Sequence, residues 1–365
     1  MKTGFKIATY AGLALLGTLT ALARPPVPSP EEYARQCEQE LGPIPVFNCM
    51  WGESVPVYDS DTKQEITDQN HQGYGTRCDH PSLLRTDGVN RFGHYNPCVP
   101  YTRVGRSPPG QGFETQWVWS CRRYFVRPKD DVHFDDINMI GHNPKTGATC
   151  FFVSKINRKP PVSALRSAVT GAVGMTPKRV EHGLDGTKVP SMFSPEAAAF
   201  WKSPKAMDSI PAWRGGSQRC VECHDANPFM HTPFFQQVTT GTGDATEPLL
   251  PGDPDGRYYV VGFTGPEWKL KHLVSPEAQA CTRCHRIGDR RTCGDLSAMA
   301  VGTRGHNRLT KTFFKRPWMP QHDDFWSFED AHADEKFVKA VQFINRCCKS
   351  PKLPECKWEP VPGRK

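Results

Sequence analysis

The sequence predicts an α+β protein in two unequal parts. A small, disulfide-rich, mainly β N-terminal domain is expected over residues 24–160 and a mainly α, loop-rich domain over 191–365, joined by a Gly- and Pro-containing linker at 161–190. Three observations predict this division. From Cys37 to about Pro160 the pattern is one of strands, with runs of aromatic and β-branched residues set between turn signals. Most helix-start signatures, and an apolar stripe at helical spacing, come after residue 190. The chain also carries 14 cysteines, 34 prolines and 31 glycines, which points to short elements and crosslinked loops rather than long bundles.

Residues 1–23 read as a secretory signal. Lys2 and Lys6 supply the charge, an apolar run extends from Ile7 to Leu19, and Ala21-Leu22-Ala23 forms an A-x-A cleavage site. The mature chain is expected to begin at Arg24; the run is short for a bilayer span, an uncleaved anchor being the alternative. Ser29-Pro30-Glu31-Glu32 opens a short helix, with Ser as cap and Pro in the first turn.

Strands follow at Val55–Tyr58, running into the polar turn Asp59-Ser60-Asp61, and at Gln116–Cys121. Met139–His142 and Ala148–Val153 flank the turn signal Asn143-Pro144-Lys145-Thr146-Gly147. His71, His80, His94, His133 and His142 show no metal-ligand spacing and are expected as surface or hydrogen-bonded residues. This half has no G-x-S-x-G, no H-E-x-x-H and no phosphate-binding glycine loop. A docking surface, a cover over a cofactor and a small-substrate pocket all stay open for it. In the linker, Gly171, Gly174, Gly183, Gly186, Pro160 and Pro161 argue against a packed element.

The C-terminal part is organised around Cys220-Val221-Glu222-Cys223-His224, which recurs sixty-one residues later as Cys281-Thr282-Arg283-Cys284-His285. C-x-x-C-H is the attachment signature of c-type haem: two thiols three positions apart add to the two vinyl groups of one porphyrin, and the adjoining His faces the iron. A structural zinc is the first alternative, but zinc ribbons place their knuckles roughly 15–20 residues apart. A thioredoxin-like redox pair is the second, and neither copy sits in a recognisable βαβ unit.

On these motifs the C-terminal half resembles the dihaem c-type cytochromes, with class I cytochrome c-like features. The resemblance implies two covalently attached haems c, held by Cys220 and Cys223 and by Cys281 and Cys284, with His224 and His285 as proximal iron ligands. Met319, in Arg316-Pro317-Trp318-Met319-Pro320, looks like the Met-Pro ligand loop of that class and is expected on the second iron, with His322, His306 and Met299 as alternatives. For the first iron the candidates are His231, His272 and Met230, or no protein ligand. A hydrogen-bonding role for His231 stands equally with ligation.

Ser194-Pro195-Glu196-Ala197 and Ser275-Pro276-Glu277-Ala278 each precede a motif and read as Ser-capped helix starts, the second running straight into Cys281. Phe337, Val341 and Ile344, helped by Val338, lie on one face of a helix expected between Phe328 and Arg346 and packed on the haem domain. Aromatic residues including Phe200, Trp201, Phe229 and Trp268 are expected to wall the haems.

Removing the four motif cysteines from the fourteen leaves ten, an even number that suits disulfides in an oxidising compartment. Neighbour pairing is expected among Cys37, Cys49, Cys78, Cys98, Cys121 and Cys150, and a second cluster should join Cys293 to Cys347, Cys348 and Cys356. The formal charge of +8 falls to +6 without Lys2 and Lys6, and haem propionates would lower it further, so polyanion binding and nucleic-acid partners gain no support.

The resemblance implies an exported bacterial protein, periplasmic or secreted and without a membrane span after signal cleavage, passing single electrons between redox protein partners. The alternative is a dihaem oxidoreductase, peroxidase-like or sulfur-compound-oxidising, with one open haem; whether the protein is an enzyme stays open. A structural or adhesive surface protein is the third reading.

Overall fold

The structure is a computed structural model of the chain. It describes residues 29–59, 62, 64–71, 98–107, 114–123, 125–154, 183–202, 211–212, 216–217, 220, 224–229, 238–240, 247–248, 256–262, 270–282, 286–289, 293 and 335–363. The expected signal and Cys78, Cys223, His231, Cys284, His285 and Met319 lie outside these residues.

Helix α1 (Pro30–Leu41) begins as the sequence predicts. The Ser29 hydroxyl accepts from the Glu32 amide at 3.1 Å and the Glu32 carboxylate accepts from the Ser29 amide at 2.7 Å, a reciprocal cap. It ends at Gly42, whose φ of 75° suits glycine. Tyr33, Ala34, Cys37 and Leu41 form its buried stripe.

The main sheet has seven strands. β1 (Glu53–Ser54), β2 (Arg103–Ser107), β3 (Gln116–Arg122), β5 (Asp136–His142) and β6 (Ala148–Ser154) pair antiparallel in that order. Asn143 and Gly147 make the β5–β6 turn: the Asn143 side-chain oxygen accepts from the Lys145 and Thr146 amides, and Gly147 takes φ 83°. The far edge of β6 is covered twice, by β13 (Tyr259–Val260), parallel at its start, and by β8 (Trp201–Lys202), antiparallel at its end. The sheet therefore draws strands from both sides of the expected linker.

Strand alternation gives this sheet two buried faces. Trp117, Trp119, Cys121, Ile137, Met139, Cys150 and Phe152 point to the face that carries α1. Gly141 stands opposite Trp117 and Gly105 opposite Trp119, and a Cβ at either glycine would come within 2.3 Å of the indole, so the rings lie over bare backbone. Val118, Ile140 and Phe151 form a cross-strand row on the opposite face, where residues from after the first pentapeptide pack.

This geometry corrects the expected neighbour pairing of the N-terminal cysteines. Cys37 bonds to Cys150 and Cys49 to Cys121, across sequence separations of 113 and 72. Cys121 and Cys150 share one face but are separated by β5, so each meets a cysteine from the segment covering it. Cys98 is also disulfide-bonded.

Short elements surround the sheet: β4 (His133–Phe134) pairs with β7 (Leu184–Asp185), β9 (Pro211–Ala212) with β10 (Gly216–Ser217), and β11 (Thr239–Thr240) with β12 (Glu247–Pro248). β7 and the turn after it show that the end of the expected linker is packed. Gly186 is buried, and a Cβ there would meet Phe134 and Cys49. β14 (Lys271–Leu273) pairs with β15 (Trp358–Pro360). The C-terminal part is thus mixed in helix and strand, where mainly α was expected.

The C-terminal helix spans Glu335–Lys349 and buries Ala340, Val341, Phe343 and Ile344. The second cysteine cluster forms as expected, Cys293–Cys348 and Cys347–Cys356. Neither serine of the repeated S-P-E-A signature caps a helix. Ala197–Phe200 begins without a side-chain cap, and Ser275 instead donates to the Glu355 carbonyl at 2.8 Å and accepts from the Lys357 amide at 2.9 Å. Binding the tail through both hydroxyl functions takes Ser275 away from the amides of its own turn.

Candidate functional site

The first pentapeptide closes on itself. The His224 amide donates to the Cys220 carbonyl at 2.8 Å, one helical turn that brings positions i and i+4 to the same side. Cys220 packs against the cluster of Phe151, Ala226, Tyr258, Val260, Leu270 and Val361. The His224 ring lies 4.9 Å from the Phe151 ring, centroid to centroid, and the Tyr258 hydroxyl donates to the His224 carbonyl at 2.6 Å. The wall behind this turn is anchored in turn, because the Phe151 amide donates to the buried Tyr33 hydroxyl of α1.

Burial draws the pKa of His224 down to about 4; the Pro228 carbonyl acts in the opposite sense, and the nearby Arg122 charge adds to the fall. The imidazole is therefore neutral near pH 7, the form in which it ligates metal. Its Nδ1 is buried without a hydrogen bond of full geometry.

The second pentapeptide begins in a different setting. Pro276–Ala278 forms a 3₁₀ turn that passes into the α-turn Gln279–Thr282, so the expected helix runs into Cys281. Cys281 is buried with Leu273, Ala278 and Ile287 against the C-terminal helix. The chain returns to β14 through a hydrogen bond from the Leu273 amide to the Ile287 carbonyl at 2.9 Å.

The structure also brings the segments following the two pentapeptides together, a contact that the sequence reading missed. Buried Arg286 donates through Nη1 to the Ala226 carbonyl at 3.1 Å and through Nη2 to the Gly256 carbonyl. Reciprocally, buried Asp225 lies against Gly288, where an added Cβ would sit 2.4 Å from the carboxylate carbon. The available signal was a charged residue of opposite sign directly after each motif.

Among the other expected site residues, His272 lies on β14, half-buried, in a bridge with Gly288 near this contact. His142 is buried, bonded to Thr149 through Nδ1 at 2.9 Å, and edge-on to Phe229 at 6.0 Å. His133 bonds to Asp131. Phe229 packs on the outer face of the sheet with Val55, Val104 and Val118, whereas Trp201 belongs to the core on the α1 face.

The residues present fit a c-type haem on three counts. Cys220 and Cys281 are thiols, while all nine other described cysteines are disulfide-bonded. His224 is neutral with Nδ1 enclosed, and Phe151 and Tyr258 supply an apolar wall beside it. Among the described residues no group of three or more His, Cys, Asp or Glu side chains gathers as a metal cluster. No helix among them is long and apolar enough to cross a membrane. Comparison with protein families, curated proteins and solved structures finds no match to this chain.

Proposed function

We propose that this protein is an exported dihaem c-type cytochrome that transfers single electrons between redox proteins outside the cytoplasm. The observation that carries the reading is the first pentapeptide: one helical turn presents the Cys220 thiol and a neutral His224 on the same side, against Phe151 and Tyr258. The disulfides are compatible with an extracellular or periplasmic setting.

Bound haem supplies one-electron chemistry at iron, with a potential set by ligands, burial and dielectric. Cys220 with Cys223, and Cys281 with Cys284, would hold the porphyrins through thioethers, and His224 and His285 would each supply an imidazole nitrogen to an iron. Phe151 keeps water from the His224 ring, and Tyr258 fixes the backbone that carries it. Met319 and His231 would supply further ligands to the second and first irons.

Mass measurement of the mature protein, made in a host that attaches haem c, tests the reading. Two covalent haems are expected, Cys223→Ala should remove or weaken one attachment, and the reduced spectrum should be low-spin without carbon monoxide binding. Fast carbon monoxide binding would instead favour an oxidoreductase with one open haem. Colourless protein, or zinc at these thiols, overturns the haem reading.

A further inference from the structure

We infer that Asp225 and Arg286 form a reciprocal clasp that sets how the two attachment segments face one another; this deepens the dihaem reading and rests on it. Each charged residue directly follows one pentapeptide and reaches the segment following the other. Arg286, 4% exposed, spans two carbonyls, Ala226 and Gly256. Asp225, 0% exposed, fills the space that the missing side chain of Gly288 leaves open.

Ions buried this deeply are weak stabilisers, because desolvation offsets their attractions; fixing register is their best-attested use. The choice of residues suits that use. A guanidinium is a rigid planar fork able to hold two carbonyls at once, which an ammonium does less well. Glycine at 288 admits the carboxylate at a distance that no Cβ would tolerate. Each clasp residue is also one peptide from a proximal histidine, about 3.8 Å between Cα atoms, so little play separates the anchor from the ligand.

Coupling between two chromophores, and electron transfer between them, depends on separation and mutual tilt. Asp225 and Arg286 are therefore positioning residues, acting through the backbone of His224 and His285.

The test uses holoprotein, with circular dichroism in the Soret region and the separation of the two midpoint potentials as readouts. Wild type should give a bisignate Soret couplet from two interacting haems. Arg286→Lys, which keeps the charge but loses the fork, and Gly288→Ala, which drives a methyl into the Asp225 carboxylate, should each retain two haem masses. Both should lose more than half of the couplet amplitude and change the separation of the potentials.

Should Arg286→Lys fail to mature, Gly288→Ala, which leaves both charges in place, carries the test. Two haems with an unchanged couplet and unchanged separation in the variant overturn the clasp, as does a dihaem wild type with no couplet. A wild type without haem is a different failure, of the dihaem reading itself, and haem mass separates the two.

Discussion

The two pentapeptides share one pattern but are held by different means. The first lies on the outer face of a seven-stranded sheet, against Phe151 and below Tyr258, and that sheet is braced on its inner face by Cys37–Cys150 and Cys49–Cys121. The second opens in a short turn packed on the C-terminal helix, which is stapled by Cys293–Cys348 and by Cys347–Cys356, only 9 residues apart. A pentapeptide of this kind has little fold preference of its own, so its surroundings must supply its stiffness. The first region takes that stiffness from strands on both sides of it in sequence, Phe151 before it and Tyr258 and Val260 after it, whereas the second takes it from the C-terminal helix and the tail that follows. The N-terminal half thus contributes Phe151 to the wall of the first pentapeptide, beside Tyr258, Val260 and Leu270 from the C-terminal half.

The comparison breaks most sharply at the disulfides. Closing a loop restricts the unfolded chain more as the loop lengthens, so Cys37→Ser with Cys150→Ser, separation 113, should cost about 5 kcal/mol of unfolding free energy. Removing Cys347–Cys356, separation 9, should cost about 2–3 kcal/mol. Denaturant titration compares the two; equal losses would mean that the sheet is not the longer-range support.

Side-chain truncation sharpens the same contrast. Phe151→Ala removes the surface on which the His224 ring rests and should cost about 3–5 kcal/mol, whereas Ile344→Ala on the C-terminal helix should cost about 2–5 kcal/mol. Hydrogen exchange should report faster opening near residues 224–226 in the first variant and near 279–282 in the second. Opening of both segments in both variants would merge the two regions into one cooperative unit.

Acid should act on the first region through His142. Burial, with the Arg286 charge added, lowers His142 from 6.5 to about 4, so the folded state resists a proton that the unfolded chain accepts. The stability from keeping His142 neutral is fully present above pH 6.5 and is lost as pH falls toward 4, about 3 kcal/mol in all. His142→Gln should flatten the slope of stability against pH in that window by about one proton. An unchanged slope would place the acid sensitivity elsewhere.

Local chemistry was legible in the sequence wherever neighbours along the chain decide the structure. Ser29 and Glu32 cap α1, Asn143 and Gly147 turn the β5–β6 hairpin, and Val341 and Ile344 face the core, as their spacing predicts. Partners set by three-dimensional packing were not legible. Ser275 has the form of a cap, yet the tail at Glu355 and Lys357 arrives from eighty residues away and takes both hydroxyl functions. The N-terminal cysteines failed the same way, since sequence order does not say which segment will lie over which strand. At the candidate site the pentapeptides were legible and their convergence was not, because Arg286 meets Ala226 sixty residues back through packing that also involves the Gly256 carbonyl, and no local signal encodes that.

The smallest effect isolates the first region most cleanly. Tyr258 is buried, and its hydroxyl donates to the His224 carbonyl at 2.6 Å while its amide donates to the Pro362 carbonyl. Tyr258→Phe deletes one oxygen, keeps the ring in the apolar cluster and keeps the backbone bond. The loss should be about 1 kcal/mol, the net value of one hydrogen bond, since a carbonyl has a second lone pair and can relax toward other donors. The corresponding tie in the second region is the Leu273 amide to the Ile287 carbonyl, backbone to backbone, which no side-chain substitution removes. Tyr258→Phe should therefore speed hydrogen exchange around residue 224 and leave 279–282 unchanged. Equal acceleration at both would mean that the contact through Arg286 transmits the loss, and the two regions would then answer to each other.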